Sequence, residues 1–228
     1  MAEIPDFTGF PKAAPKFLRA LKRNNDKAWF AEHRSEYDRN ILEPARAFVV
    51  AMGDALRKDL PGINADPRTD RSIFRIHRDV RFSKDKSPYK PNLGVIFWDG
   101  PGAKMESSGF YLHLEPPELY LGAGYYVFSK ESLAAYRELL LDPKAGPALQ
   151  RAVNLVTKRG YEIGGAKTKR APRGCDPDHP RAELLKHKGL FAGLGMEIPP
   201  EFNGPELVDF CREHFKALLP LHKQLRML

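Results

Sequence analysis

The stretch from Gly109 to Tyr126 constrains the fold more than any other part of the chain. Phe110, Leu112 and Leu114 alternate with Tyr111, His113 and Glu115, the period of a strand with one covered face. Glu115-Pro116-Pro117-Glu118 supplies turn chemistry, after which Leu119 and Leu121 alternate with Tyr120, Gly122, Gly124 and Tyr126. Strands this close in sequence cannot lie parallel, because a parallel crossover needs about a dozen residues or more. Ser72 to Phe82 and Asn92 to Trp98 are also rich in β-branched and aromatic residues, and turn-forming Ser-Pro-Tyr-Lys-Pro and Asp-Gly-Pro-Gly separate the runs. The expectation is an antiparallel meander whose apolar face must be covered.

Helical spacing flanks this region on both sides. Phe17, Leu18 and Leu21 make one apolar face behind Pro15, and Asn24-Asn25 interrupts it. Asp26 suits the cap of a second helix carrying Trp29, Phe30, Tyr37 and Ile41, and Ala45, Phe48, Val49, Met52 and Leu56 extend the stripe from Pro44 to Leu60-Pro61-Gly62. Ser129 suits the cap of a helix bearing Leu133, Tyr136, Leu139 and Leu140. Pro147 to Arg159 and Arg181 to His187 read as helices ended by Gly160 and Gly189. Pro205 to Leu228 reads as the last, with Leu207, Phe210, Cys211, His214 and Leu218 on one face and Pro220 kinking or splitting it. The fold class expected is α+β: a single antiparallel sheet of about four or more strands with helices packed on its apolar face. With 228 residues, 42% of them hydrophobic, one domain spanning 1–228 suffices: helical over 1–62, sheet over 72–126, mostly helical over 129–228.

No apolar run approaches a bilayer span of about 20 residues, and the start MAEIPDFTGF lacks the order of a signal peptide. Cys175 and Cys211 lie in unlike settings and form no CxxC pair. A cytoplasmic protein without a membrane partner is expected.

Lys and Arg number 37 against 29 Asp and Glu, a net charge of +8, and the excess is concentrated. Arg68 to Lys90 holds eight basic residues against three acidic ones, and Lys158 to Arg173 holds six against one. If Ser72 to Phe82 alternates as a strand, Phe74, Ile76, Val80 and Phe82 share the covered face with Arg78. Arg75, His77, Asp79 and Arg81 then join Tyr111, His113, Glu115, Tyr120 and Tyr126 on the reverse. Arg78 needs a partner, or a bulge that turns it outward. Arginine forks suit phosphate or carboxylate, histidine exchanges a proton near neutral pH, and tyrosine adds an apolar plane with a hydroxyl. The bland counterpart is an ion-pair lattice in which Arg75 and Arg81 only neutralise Asp79 and Glu115.

The sequence carries no GxxxxGK[ST] loop, GxGxxG after a strand, GxSxG elbow or HExxH, which leaves nucleoside triphosphatase, dinucleotide oxidoreductase, serine hydrolase and zincin readings without support. Asp176-Pro177-Asp178-His179 reads as a turn rather than a metal site.

The run Arg75-Ile-His-Arg78-Asp79-Val-Arg81-Phe82-Ser-Lys-Asp-Lys86-Ser-Pro-Tyr89 resembles the Arg-x-x-Arg-Asp-x-Arg-Phe and Lys-x-x-Tyr signature of a domain-of-unknown-function family, number 2461. Lys27-Ala-Trp-Phe30, Gly109-Phe-Tyr-Leu-His113 and Asp178-His-Pro180 before Leu184-Leu185 extend the likeness across nearly the whole chain. The resemblance implies no activity; it implies that Arg75, Arg78, Asp79, Arg81, Phe82, Lys86 and Tyr89 act as a unit.

The functional expectation is a site for a phosphorylated or other anionic small molecule on the polar sheet face. Arg75, Arg78, Arg81, Lys86, Tyr89 and Tyr111 are its ligand contacts. If chemistry occurs there, His77 or His113 is the candidate acid or base and Asp79 or Glu115 its orienter. No metal or other cofactor enters the reading. The alternatives are a non-catalytic nucleic-acid-binding module, which would add the Lys158 to Arg173 loop, and a protein-interaction domain whose arginines serve only structure.

Overall fold

The computed structural model describes residues 3–170, 172, 175–176 and 178–228. Helices α1 (Ala13–Arg23), α2 (Lys27–Glu32), α3 (Arg34–Tyr37) and α4 (Glu43–Arg57) come first, with a π-helical turn at Asp38–Leu42 joining α3 to α4. Strands β1 (Ile63–Asn64), β2 (Leu93–Asp99), β3 (Gly109–Glu115) and β4 (Glu118–Tyr125) follow. Then come α5 (Lys130–Leu141), α6 (Ala145–Lys158), β5 (Glu162–Gly164), α7 (Ala182–Leu185), β6 (Leu190–Glu197) and α8 (Leu207–Leu225). The fold is α+β, with one antiparallel six-stranded sheet in the order β1-β2-β3-β4-β6-β5.

Local sequence explains most boundaries. The Asp26 carboxylate accepts from the Trp29 N–H at 2.9 Å, and the Ser129 hydroxyl accepts from the Ser132 N–H at 3.1 Å. Phe110, Leu112, Leu114, Leu119 and Leu121 are all fully buried, as alternation requires, and the turn between β3 and β4 contains a cis Pro116–Pro117 peptide. Pro220 lies inside α8 without splitting it; the buried stripe runs Leu207, Cys211, Phe215, Leu218, His222 and Leu225.

Two expectations are corrected. Ser72 to Phe82 is not a strand: it is irregular, with isolated bridges from Ile73 to Val95 and from His77 to Tyr89. Within Lys158 to Arg173, expected as an open loop, β5 pairs antiparallel with β6, aligning Ile163 with Ala192. Lys167 bridges His187 beyond it, and Arg173 lies outside the described residues. The β6 strand, Leu-Phe-Ala-Gly-Leu-Gly-Met-Glu, had no sequence signal strong enough to register, since its glycines weaken strand propensity.

The chain resolves into two compact units. The first comprises the chain up to Phe97, Tyr111–Leu121 and Gly195–Glu213. Its core is aromatic: Phe10 stacks on Phe202 at 4.9 Å, and Phe48 of α4 meets Phe97 of β2 edge-on at 6.2 Å. The second comprises Trp98–Phe110, Gly122–Leu194 and His214–Leu228. There Phe215 of α8 covers Phe110 of β3 at 5.1 Å, Phe128 stacks on Tyr136, and the Tyr136 hydroxyl donates to the Leu184 carbonyl at 2.9 Å. Among the described residues no helix is long and apolar enough to cross a membrane.

Candidate functional site

Residues 72–90 fail as a strand because they change partners. Phe74 N–H donates to Gly94 of β2 at 3.0 Å, but two residues on, the Ile76 carbonyl accepts from Lys90 N–H and Arg78 N–H donates to the Pro88 carbonyl, both at 2.8 Å. The second half therefore folds into a narrow ribbon with 88–90, where Pro88 and Pro91 cannot donate to a longer ladder. This change of partner also upsets the expected faces. Ile73 is fully buried, while the Phe74 ring meets Tyr111 edge-on at 5.9 Å, on the polar side of β3 rather than opposite it. From Arg75 onward the chain alternates again, exposing Arg75, His77, Asp79 and Arg81. Phe82, expected on the covered face, is 95% exposed at the loop tip.

Two aspartates set the ends of that loop. Asp79 accepts from its own i+2 N–H, that of Arg81, at 3.2 Å, and Asp85 likewise from Ser87 N–H at 2.9 Å. Each also holds an arginine. Arg81 donates through Nε at 3.0 Å and Nη2 at 2.7 Å to the two Asp79 oxygens, and Arg78 donates to Asp85 and, at 2.8 Å, to the Ser87 hydroxyl. Arg78 thus meets its need by partnership. The Arg81 hydrogen bonds hold Asp79 down to about 2, and hydrogen bonds from Ser87, then Arg78, do the same for Asp85. Lys86 donates to the Val80 carbonyl at 2.9 Å. Tyr89 is turned inward: its ring stacks on Phe30 at 4.1 Å, His77 lies 5.2 Å from it, and Asn25 clamps its backbone on both sides.

The remaining candidates stand along β3. Tyr111 Oη and His113 Nδ1 are 3.0 Å apart, His113 Nε2 lies 3.6 Å from Glu115 Oε2, and Lys22 Nζ of α1 donates to Glu115 Oε1 at 3.0 Å. Spacing of two along one strand face places these side chains in line. Glu115 is held below its usual range, chiefly by the Lys22 hydrogen bond, so it is ionised at neutral pH and can only accept. The proton on His113 therefore belongs on Nε2, and Nδ1 accepts from the Tyr111 hydroxyl. Burial lowers the proton affinity of His113 and Glu115 partly restores it. An open cleft of about 460 Å³ borders this line, walled by Lys22, His113, Glu115, Pro116, Pro117, Glu118 and Tyr120. Gly94 makes room for the line: a Cβ there would sit 2.7 Å from the Tyr111 hydroxyl. Arg75, His77, Arg78, Asp79, Arg81 and Lys86 thus stand on the ribbon and its loop, and Tyr111, His113 and Glu115 stand on β3. Lys22 had no signal in the sequence, since nothing distinguishes it from Lys16, the other exposed lysine of α1.

A second histidine line had no signal either. Ser108 Oγ lies 2.9 Å from His222 Nδ1, and His222 Nε2 lies 3.4 Å from Asp99 Oδ2. Arg226 Nε is 3.0 Å from the same oxygen, without the alignment of a hydrogen bond. Ser108 is 1% and His222 0% exposed, so the line has no route to a ligand. Desolvation keeps His222 well below its ordinary range and hence neutral. In the 176–179 turn, the Asp176 carboxylate accepts from Asp178 N–H and His179 Nδ1 accepts from Arg181 N–H, while Pro177 lies outside the described residues. Among the described residues no group of three His, Cys, Asp or Glu is placed to hold a metal ion.

The family described as "Conserved hypothetical protein (DUF2461)" matches residues 13–223. The chain belongs to this family. In this DUF2461 chain the matched span contains the whole 75–90 ribbon and the β3 line, and ends before Arg226. No curated protein and no solved structure matches the chain.

Proposed function

We propose that the protein binds an anionic, phosphate-bearing ligand at the 75–90 ribbon. One observation carries this reading. The ribbon holds six cations against two carboxylates, and both carboxylates are committed to the loop ends, Asp79 with Arg81 and Asp85 with Arg78. Arg75 and Lys84 are exposed; among the described residues neither is held by a hydrogen bond or ion pair, and Arg75 only adds its charge to the field that lowers Asp79. Arg81 keeps donors that Asp79 does not use, and its guanidinium is already aimed. Arg75, Arg81, Lys84 and Lys86 are the anion contacts, and Asp79 and Asp85 are positioning residues. Calorimetric titration with inorganic triphosphate at low salt tests this. Binding should weaken in Arg75→Ala and Lys84→Ala, and survive with reduced affinity in Asp79→Asn. Triphosphate that does not bind, or binds all three variants as it binds the wild type, overturns the reading.

The β3 line favours a second reading, proton transfer in the cleft. Neutral His113 can take a proton from a polar ligand near neutral pH and return it as the imidazolium, whose charge the ionised carboxylate facing Nε2 favours. Glu115 is its positioning residue. In an NMR titration, Glu115→Gln should lower the pKa of His113 further; an unchanged His113 removes the basis for this reading.

A further inference from the structure

We infer that Phe82 and the cations beside it form a stacking site for the bases of single-stranded nucleic acid. This rests on the anion-binding reading above and names its ligand class. Among the described residues Phe82 is the most exposed of the large hydrophobic side chains, at 95%, and it stands at the tip of the basic loop. The Arg81 guanidinium carbon lies 5.8 Å from its ring centroid, while Asp79 fixes the arginine from behind. Asp79 and Asp85 close the loop at its two ends through side chain to backbone hydrogen bonds, so the ring is held on an ordered turn rather than on a loose tail. An ordered, solvated phenyl ring offers a π-face at no further cost in burial. A base that stacks on it brings a phosphate on either side, where Arg75, Lys84 and Lys86 are exposed to meet them.

The same chemistry argues against other partners. Bases in a duplex are already stacked on each other, so a phenyl wedge gains little from them without unstacking a step. Membrane anchoring draws on a continuous apolar face, whereas Phe82 is followed by Ser83, Lys84 and Asp85. An inorganic polyanion would use the cations and ignore the ring.

Fluorescence anisotropy with a labelled 15-nucleotide oligo(U) tests the inference. The comparison ligands are a duplex of equal length, inorganic triphosphate as competitor, and phosphatidylserine vesicles. The wild type should bind the single strand more tightly than the duplex. Phe82→Ala should lose about tenfold in single-strand affinity and keep its triphosphate affinity, because the ring supplies stacking and no charge. Phe82→Trp should retain binding, and its added fluorescence should be quenched by the strand. Lys84→Gln should reduce the slope of log affinity against log salt by about 0.7. A Phe82→Ala variant that binds oligo(U) like the wild type overturns the stacking site alone and leaves anion binding standing. Failure of both oligo(U) and triphosphate overturns the two readings together. Preference for vesicles or for the duplex overturns the assignment to single strands.

Discussion

His113 and His222 stand in nearly the same chemical company and in opposite surroundings. Each has a hydroxyl at its Nδ1, Tyr111 Oη at 3.0 Å or Ser108 Oγ at 2.9 Å, and a carboxylate facing its Nε2, Glu115 at 3.6 Å or Asp99 at 3.4 Å. Each carboxylate also faces a cation, Lys22 or Arg226. Water separates the two cases. His113 and Glu115 border an open cleft, whereas His222 is fully buried with Nε2 and Asp99 Oδ2 lacking aligned partners. A hydroxyl, an imidazole and a carboxylate in line therefore describe a site only where a ligand can reach them. Sealed in a core, the same three groups are a structural cost that packing must offset.

The largest expected effect separates the two by stability. His222→Ala removes a fully buried ring that packs on Phe110 at 4.6 Å and leaves Ser108 and Asp99 facing a cavity. Losing that packing and stranding two buried polar groups should cost about 3 kcal/mol or more, and lower Tm by about 6–12 °C. His113→Ala, at a cleft wall where water replaces the ring, should cost about 1 kcal/mol or less. Equal losses in thermal melts would erase the distinction between a core and a site.

Acid separates the two histidines further. His222 titrates below its ordinary value of 6.5 when folded, because burial disfavours the cation. The unfolded chain then binds more protons than the folded one as pH drops below 6.5, so stability is full above that value and declines beneath it. The groups facing His222 are Asp99, which favours its cation, Arg226 and Lys223, which oppose it, and the neutral Ser108. His113 and His214, both half-buried, and His187, buried like His222, shift in the same direction through burial, but only His222 is carried down to about 4. Asp79 and Asp85 act elsewhere: their lowered values protect the fold above 3.8 and fail only below it. Urea unfolding at pH 7.5 and pH 5.5 therefore isolates the histidines. The fall between the two should shrink most in His222→Gln and little in His113→Gln; the reverse order would place the proton-sensitive core in the cleft.

What the sequence disclosed divides along similar lines. Burial alternation in β3 and β4 was legible because one face touches core and the other does not, and a slip of one residue would bury Tyr111, His113 and Glu115. The caps at Asp26 and Ser129 were legible because their chemistry is local. Ser72 to Phe82 misled because its alternation is genuine while its partner changes midway, from β2 to residues 88–90. Periodicity reports which side of a segment is wet and carries no information on what it pairs with. The Asp79–Arg81 pairing followed from a spacing of two, but the exposure of Phe82 did not, since an aromatic in an apolar pattern is ordinarily core. Lys22, Ser108 and His222 were invisible because their partners lie 93 or more residues away in the chain.

The smallest expected effect tests whether the cleft line is tuned or incidental. Lys22 and Glu115 are 61% and 40% exposed in their side chains, so their pair contributes at most about 1 kcal/mol, and Lys22→Ala should barely move Tm. Its electrostatic effect should be larger than its energetic one. Without the ammonium group, Glu115 loses the hydrogen bond that most lowers its pKa, and its charge is left to face His113 alone. Both pKa values should then rise, Glu115 toward its ordinary value of 4.5 and His113 back toward 6.5, because a nearby cation no longer offsets the carboxylate. Two-dimensional NMR across a pH series reads both shifts in one sample. If His113 titrates in Lys22→Ala as it does in the wild type, the carboxylate is not coupled to the imidazole across 3.6 Å. The cleft would then hold a histidine beside an ion pair rather than a proton-transfer line, and only the 75–90 ribbon would remain as a site.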